Sequence, residues 1–291
     1  MTVHTVPPVV VGIDGSPASL DALRWAARTA ERHRAPMHLV YGIGAPIDYG
    51  PGISVIAFDN QAFRDDGETL LASAAKVARA AVNRPDELDI ATSVTDPAPT
   101  PVLLERSHQA RLVVVGTRGL GAIGRGILGS VSTSLARHAH CPVVVVPEIE
   151  PGSPDRTQSP VVVGVDGSAC STRAIDIAFD EASARGVGLI AVTTWSEFFR
   201  YESRNEMQEQ ASALQSESLA GHTERYPDVQ ITHVVAEDRP ARRILREAEN
   251  AQLIVVGSHG RGGFAGMTLG SVSQAVLHST HIPVIIARPQ V

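Results

Sequence analysis

The feature that most constrains this chain is that it repeats itself. VVVGIDGS at residues 9–16 recurs as VVVGVDGS at 161–168, an offset of 152 residues. ARLVVVGTRGLGAIGRGILGSVS at 110–132 recurs as AQLIVVGSHGRGGFAGMTLGSVS at 251–273, an offset of 141. Self-similarity over such long segments means two copies of one folding unit. The offsets differ by 11 residues, and Pro99 and Pro240 already match at the shorter one. The extra residues therefore lie between Tyr41 and the helix near Ala62, where GIGAPIDYGPGISV is rich in Gly and Pro and has no periodicity. EIEPGSPDRTQSP, beginning at residue 148, has the composition of a linker. The expected domains are 1–147 and 160–291, joined through 148–159.

Within each copy, short apolar runs alternate with helical patterns. Val9–Ile13 reads as a strand buried on both faces, followed by Asp14-Gly15-Ser16-Pro17. Ser16 is placed to cap a helix and Pro17 to occupy its first position. Leu20, Leu23, Ala27 and Ala30 then recur at helical spacing. Further strands are expected at His38–Ile43, Leu88–Val94, Leu112–Val115 and Pro142–Val146, and helices at Gln61–Asn83, Pro101–Gln109 and Val131–His138. This alternation predicts an α/β fold: two tandem doubly wound five-stranded parallel-sheet domains, with helices on both faces. The apolar fifth strands, Val143–Val146 and Val284–Ile286, suit pairing between the copies, which would cover otherwise exposed edges.

Composition narrows the partners. With 43% hydrophobic and 19% charged residues, 291 residues supply two ordinary cores. A formal net charge of −6 without a basic block argues against nucleic acid or an anionic membrane surface as partner. No run of 18 apolar residues offers a membrane span. The opening MTVHTVPPVVVGIDGS has no basic n-region, and Pro7 and Pro8 interrupt its short apolar run, so it does not read as a secretory signal. Two cysteines, Cys141 and Cys170, at no metal-like spacing fit a reducing cytoplasm.

The chemistry is concentrated in the segment from Gly116 to Ser132, which follows one buried strand and ends at a helix start. Its glycines let backbone amides approach a ligand, and Ser130 with the amides of the next helix turn can donate to phosphate oxygens. The helix dipole favours an anion there, and Arg118 and Arg125 could add charge-assisted hydrogen bonds. The same spacing, Gly-x-x-Gly, nine residues, then Gly-Ser, returns at Gly257, Gly260, Gly270 and Ser271. A flexible surface loop explains one such segment as well as a phosphate cradle does, but not two at identical spacing. A P-loop NTPase is disfavoured, because Gly124-Arg-Gly-Ile-Leu-Gly129-Ser130 lacks the lysine and Lys76, the only lysine, sits in a helix elsewhere. Gly119-Leu-Gly121-Ala-Ile-Gly124 matches the dinucleotide pattern but follows the fourth strand, not the first. Arg137-His138-Ala139-His140-Cys141 offers no metal set that the second copy repeats, so no metal ligand is assigned.

The glycine spacing, with Val-Gly-(Ile/Val)-Asp-Gly-Ser near each domain start, resembles the ATP-binding branch of the universal stress protein family across nearly the whole chain. The resemblance implies a Rossmann-like, adenine nucleotide α-hydrolase-like sheet with ATP between the ends of its first and fourth strands. Asp14 and Asp166 would then lie at the adenine and ribose end, although an aspartate after a strand can equally serve only to start a turn. Backbone at Val40 and Val192 would line the base. Ribose and phosphates would fall to Gly116, Gly119, Gly129, Ser130 and Val131, with Gly12, Thr117, Leu120, Gly121 and Ser132 beside them. The second set is Gly257, Gly260, Gly270, Ser271 and Val272, with Gly164, Ser258, Gly262, Gly263 and Ser273. Arg118 is replaced by His259 and Arg125 by Gly266, while Arg261 stands where the first copy has Leu120. The second phosphate grip is therefore expected to differ and to respond to pH through His259. Glu197 is a candidate for a ribose hydroxyl, set against an ordinary solvated charge. The family further implies an ATP cofactor, with Mg2+ as its companion, a homodimer and a regulatory protein partner. No catalytic base is assigned to Ser130, so regulation by nucleotide is expected rather than catalysis. A slow ATPase or adenylyl-transfer enzyme is the alternative, and a scaffold with structural nucleotide a third reading.

Overall fold

The computed structural model describes residues 6–44, 60–117, 119, 128–150, 152–196, 203–261 and 269–288. The first copy runs β1 (Val9–Gly12), α1 (Pro17–His33), β2 (Met37–Gly42), α2 (Asn60–Ala80), β3 (Ile90–Thr95), α3 (Pro99–Arg106), β4 (Leu112–Gly116), α4 (Ser130–His138) and β5 (Val143–Val146). The second runs β6 (Val161–Gly164), α5 (Ala169–Arg185), β7 (Leu189–Trp195), α6 (Arg204–Leu219), the single turn α7 (His222–Arg225), β8 (Ile231–Glu237), α8 (Pro240–Glu247), β9 (Leu253–Gly257), α9 (Ser271–Ser279) and β10 (Val284–Ala287). Both α3 and α8 begin on a proline, which loses no helical hydrogen bond at that position. That puts the start of α3 two residues ahead of the sequence expectation. The connection from Gly42 to Asn60 is longer than that from Trp195 to Arg204, as expected of the insertion, but Leu70 and Leu214 pair at an offset of 144, so part of the 11-residue difference falls later, between α2 and Pro99. Most of that connection lies outside the described residues.

Ten strands form one sheet in the order β3-β2-β1-β4-β5-β10-β9-β6-β7-β8. Pairing within each copy is parallel. The fifth strands meet antiparallel, with Val284 opposite Val145 and Ile286 opposite Val143. The two five-stranded sheets thus merge at the edges that their all-apolar sequences left to be covered. Val143, Val144, Val284, Ile285 and Ile286 are 0% exposed, so this seam is core. Hydrophobic clusters fill both faces, one under α1, α2, α5 and α6, the other under α3, α4, α8 and α9.

Strand order reverses between β1 and β4, and again between β6 and β9. Chain leaving β1 crosses toward β2, whereas chain leaving β4 crosses toward β5, so the loops diverge and leave a crevice at the carboxyl ends. Asp14 and Gly116 stand on either side of that crevice, as do Asp166 and Gly257. Among the described residues no helix is long and apolar enough to cross a membrane.

Candidate functional site

The site is built first by the turn after β1 and β6. Asp14 Oδ1 accepts from Ser16 N at 2.9 Å and Ser16 Oγ at 2.6 Å; Asp166 Oδ1 accepts from Ser168 N at 3.0 Å and Oγ at 2.7 Å. Ser16 and Ser168 in turn accept from Ser19 N and Ser171 N, capping α1 and α5. The aspartates therefore do start turns. Each does so with one oxygen, and the other is turned toward the glycine segment. A Cβ on Gly119 would stand well inside contact distance of Asp14 Oδ2, and one on Gly260 would meet Asp166 Oδ2 likewise. These glycines bring backbone against carboxylate.

Gly116 and Gly257 serve another purpose. A Cβ on Gly116 would lie 2.7 Å from the Ala18 carbonyl carbon, and one on Gly257 would lie 2.8 Å from Cys170 Cβ. They let α1 and α5 pack onto β4 and β9, which brings the Asp turns up to the glycine segments. The motif's first glycine is thus required by helix packing.

The two ends of each glycine segment are pinned together. Gly129 N donates to Thr117 O and Gly270 N to Ser258 O, both at 2.7 Å. The helices that follow differ from α1 and α5 at their starts. Gly129 and Gly270 are the N-caps of α4 and α9, and neither helix has a side-chain cap. Among the described residues no side chain caps the first-turn amides at Ser130 and Ser271, which carry the positive end of the helix dipole. Ser132 and Ser273 do not add hydroxyl donors to that array. Ser132 Oγ donates to Gly129 O at 3.0 Å, within the start of its own helix, and Ser273 Oγ donates to Gly257 O at 2.5 Å, tying α9 back to β9.

In the second copy these parts enclose a cavity of about 370 Å³, within the roughly 300–1,000 Å³ usual for small-molecule sites. It is lined by the expected Gly164, Asp166, Val192, Gly257, His259, Gly260, Arg261, Gly270, Ser271, Val272 and Ser273. Ser258 is not part of the lining. It is 0% exposed, with Oγ 3.5 Å from Cys170 Sγ and 3.0 Å from His259 Nδ1. Val192 O and Val40 O already accept from Val165 N and Ile13 N, at 2.8 and 2.9 Å, so contact with a base there falls to side chains or to the second lone pair of each carbonyl.

An apolar wall of Pro240, Ile244 and Val256, with Thr194, Val165, Ser168 and Ser171, was missed in the sequence. The match of Pro99 with Pro240 was a signal, since a helix opening at the crevice must present side chains to it. Gly12 lies against Leu103 as Gly164 lies against Ile244, so the first copy carries a counterpart of that wall. Arg118, Leu120, Gly121, Arg125, Glu197, Gly262 and Gly263 lie outside the described residues.

The model of the Universal stress protein family matches residues 6–147 and 159–288. A universal stress protein of Mycobacterium tuberculosis is 44% identical over 284 residues, covering 96% of each chain. A second from the same organism is 42% identical over 287 residues, again 96% of each. The crystal structure of a universal stress protein from Archaeoglobus fulgidus shares the fold, with a TM-score of 0.70 at 19% identity over 98% of this chain and 97% of that one. Two Asp-Gly-Ser turns facing two Gly-x-x-Gly segments on one α/β sheet, and two family matches that between them span nearly the whole chain, lead to one conclusion: this protein belongs to the universal stress protein family, as a tandem of two such domains.

Proposed function

We propose that the chain binds ATP, with Mg2+ as its companion, at the crevice of each copy, and that occupancy regulates stress response or growth through the conformation of the glycine segments and a protein partner. The observation that carries the reading is the pairing of uncapped helix starts at Gly129-Ser130 and Gly270-Ser271 with oriented aspartates across the crevice. Amides and a helix dipole suit a polyphosphate, an apolar wall such as Pro240 and Ile244 suits a base, and a carboxylate oxygen suits a ribose hydroxyl or amino group. Arg261 in the second cavity supplies a cationic side chain, and His259 lines it beside Arg261. We read the protein as a binder and not an enzyme, working in the cytoplasm as a homodimer. Its two cysteines are both unbridged and buried, in keeping with a reducing compartment.

Native mass spectrometry tests occupancy and assembly together. Two nucleotides per chain and two chains per particle are expected, with an ATP-dependent rise in melting temperature. No bound nucleotide and no thermal shift with Mg-ATP would overturn the reading. ATP turnover above that of a variant with both sites impaired would replace regulation by catalysis.

A further inference from the structure

The copies differ beside the crevice, on the α2 and α6 side of the sheet. In the first copy the Tyr41 ring lies on α2. A Cβ on Gly67 would be 2.8 Å from Tyr41 Cδ1 and 3.1 Å from Cε1, so the helix is glycine there because the ring occupies the space. In the second copy the same strand position is Thr193, since Met37 and Leu189 hold the same register against β1 and β6. The same helix position is Ala211, because Leu70 touches Gly15 as Leu214 touches Gly167, and Gly67 and Ala211 each lie three residues earlier. A tyrosine has become a threonine while the facing residue gained only a methyl group.

Beside Thr193 and Ala211 lies a cavity of about 240 Å³, walled also by Trp195, Met207 and Leu214. It shares Thr194 and Arg261 with the crevice cavity, so the two adjoin across the turn at Gly167. Arg261 lies over that turn, where a Cβ on Gly167 would run into its guanidinium. One cation therefore borders both spaces.

We propose that this cavity is a subsite for a planar heteroaromatic ring, and that the second copy takes a dinucleotide whose second base enters it. The inference rests on the nucleotide reading of the crevice. At the equivalent place in the first copy an aromatic ring, that of Tyr41, packs on α2 at Gly67. Met207 and Leu214 offer apolar faces, and the Thr194 and Ser196 hydroxyls offer hydrogen-bonding edges such as a base needs, while the Thr193 hydroxyl is held by Val165 O and Gln215 Nε2. Arg261 stands between the two spaces, where the phosphates joining two nucleosides would cross. The first copy, closed by Tyr41, takes a mononucleotide.

Titration of the full chain with Mg-ATP and, separately, with diadenosine di-, tri- and tetraphosphate tests this. One of the two sites is expected to hold at least one of the dinucleotides about tenfold more tightly than ATP, the gain from burying one further base. Thr193→Tyr, which restores the ring, and Ala211→Leu, which fills the cavity from the opposite wall, should each remove that preference and leave ATP affinity within about twofold, which also shows that the variants fold. ATP binding without preference for any dinucleotide, or a preference that survives both substitutions, overturns the subsite alone. A chain that binds neither ligand overturns the nucleotide reading and the subsite with it.

Discussion

At the scale of single residues, the two glycines of each Gly-x-x-Gly motif answer to different neighbours, and substitution separates them. Gly257→Ala drives a methyl group against Cys170 Cβ at 2.8 Å and Cys170 carbonyl carbon at 3.0 Å, both on a helix that cannot yield locally. Such overpacking costs about 1–3 kcal/mol, and it should appear as a lower melting temperature without ligand. Gly260→Ala places its methyl group on Asp166 Oδ2, a side chain that is half-buried and can turn away. Its stability should stay close to that of the parent. Displacing a charge-assisted hydrogen bond of about 1.5–3 kcal/mol should instead weaken ATP at the second site roughly tenfold or more. Calorimetric titration beside thermal unfolding reads both effects. Equal loss of stability in the two variants would contradict the division of roles.

At the scale of elements, the helix ends show how far a sequence alone can be read. Ser16-Pro17 marked the start of α1 correctly because a cap and its first helical position are local chemistry. The crevice was legible only in part: the alternation put Asp14 and Gly116 at the carboxyl ends of the first and fourth strands, but that these strands are neighbours is seen only in the sheet order. The role of Gly116 and Gly257 was not legible. Close helix packing and phosphate binding both call for glycine after a strand, and only coordinates show Ala18 or Cys170 behind it. Nor could the letters alone show that the Ser273 hydroxyl is spent on Gly257 O, or that Ser258 faces inward beside Cys170. A difference between equivalent helix ends gives a second prediction. α5 ends on Gly186 at φ 66°, whereas α1 ends on Arg34 at φ 49°, a left-handed conformation that strains any residue with a Cβ. Arg34 is exposed. Arg34→Gly should therefore stabilise the first domain by a few tenths to about 1 kcal/mol, the strain relieved less the added chain entropy. A raised urea midpoint with an unchanged slope would bear this out, and a lowered midpoint would refute it.

At the scale of the whole molecule, the described residues of the two copies meet at the β5–β10 seam and, among other contacts, at a buried ionic cluster between α1 and α5. Glu181 is 2% exposed. Arg185 Nη2 donates to its Oε2 at 2.8 Å, and His33 Nε2 lies 3.0 Å from its Oε1. Arg111 reaches His33 Nδ1 at 3.0 Å and Asp180 at 2.7 Å, so Nδ1 accepts and Nε2 carries the proton given to Glu181. The Arg185 guanidinium also lies over the Trp25 ring at 5.4 Å. At the 152-residue offset Glu181 corresponds to Thr29 and Arg185 to His33, so the repeat puts a buried carboxylate on only one side of the interface. Burial opposes its charge, but Arg185 and the bonded His33 prevail and hold it at about 2, below its ordinary 4.5. Because the folded value is the lower one, the stabilisation is complete above about pH 4.5 and disappears as pH falls toward 2. A shift of this size is worth on the order of 3 kcal/mol. Glu181→Gln should cost about 3–5 kcal/mol at neutral pH, because it leaves Arg185 buried without its counter-charge. It should also flatten the acid limb of the stability curve by the amount the carboxylate contributed. Urea unfolding from pH 2 to 7 on both chains measures the two effects together. Parallel acid limbs would mean that this carboxylate does not couple the copies to pH, however well its hydrogen bonds are formed.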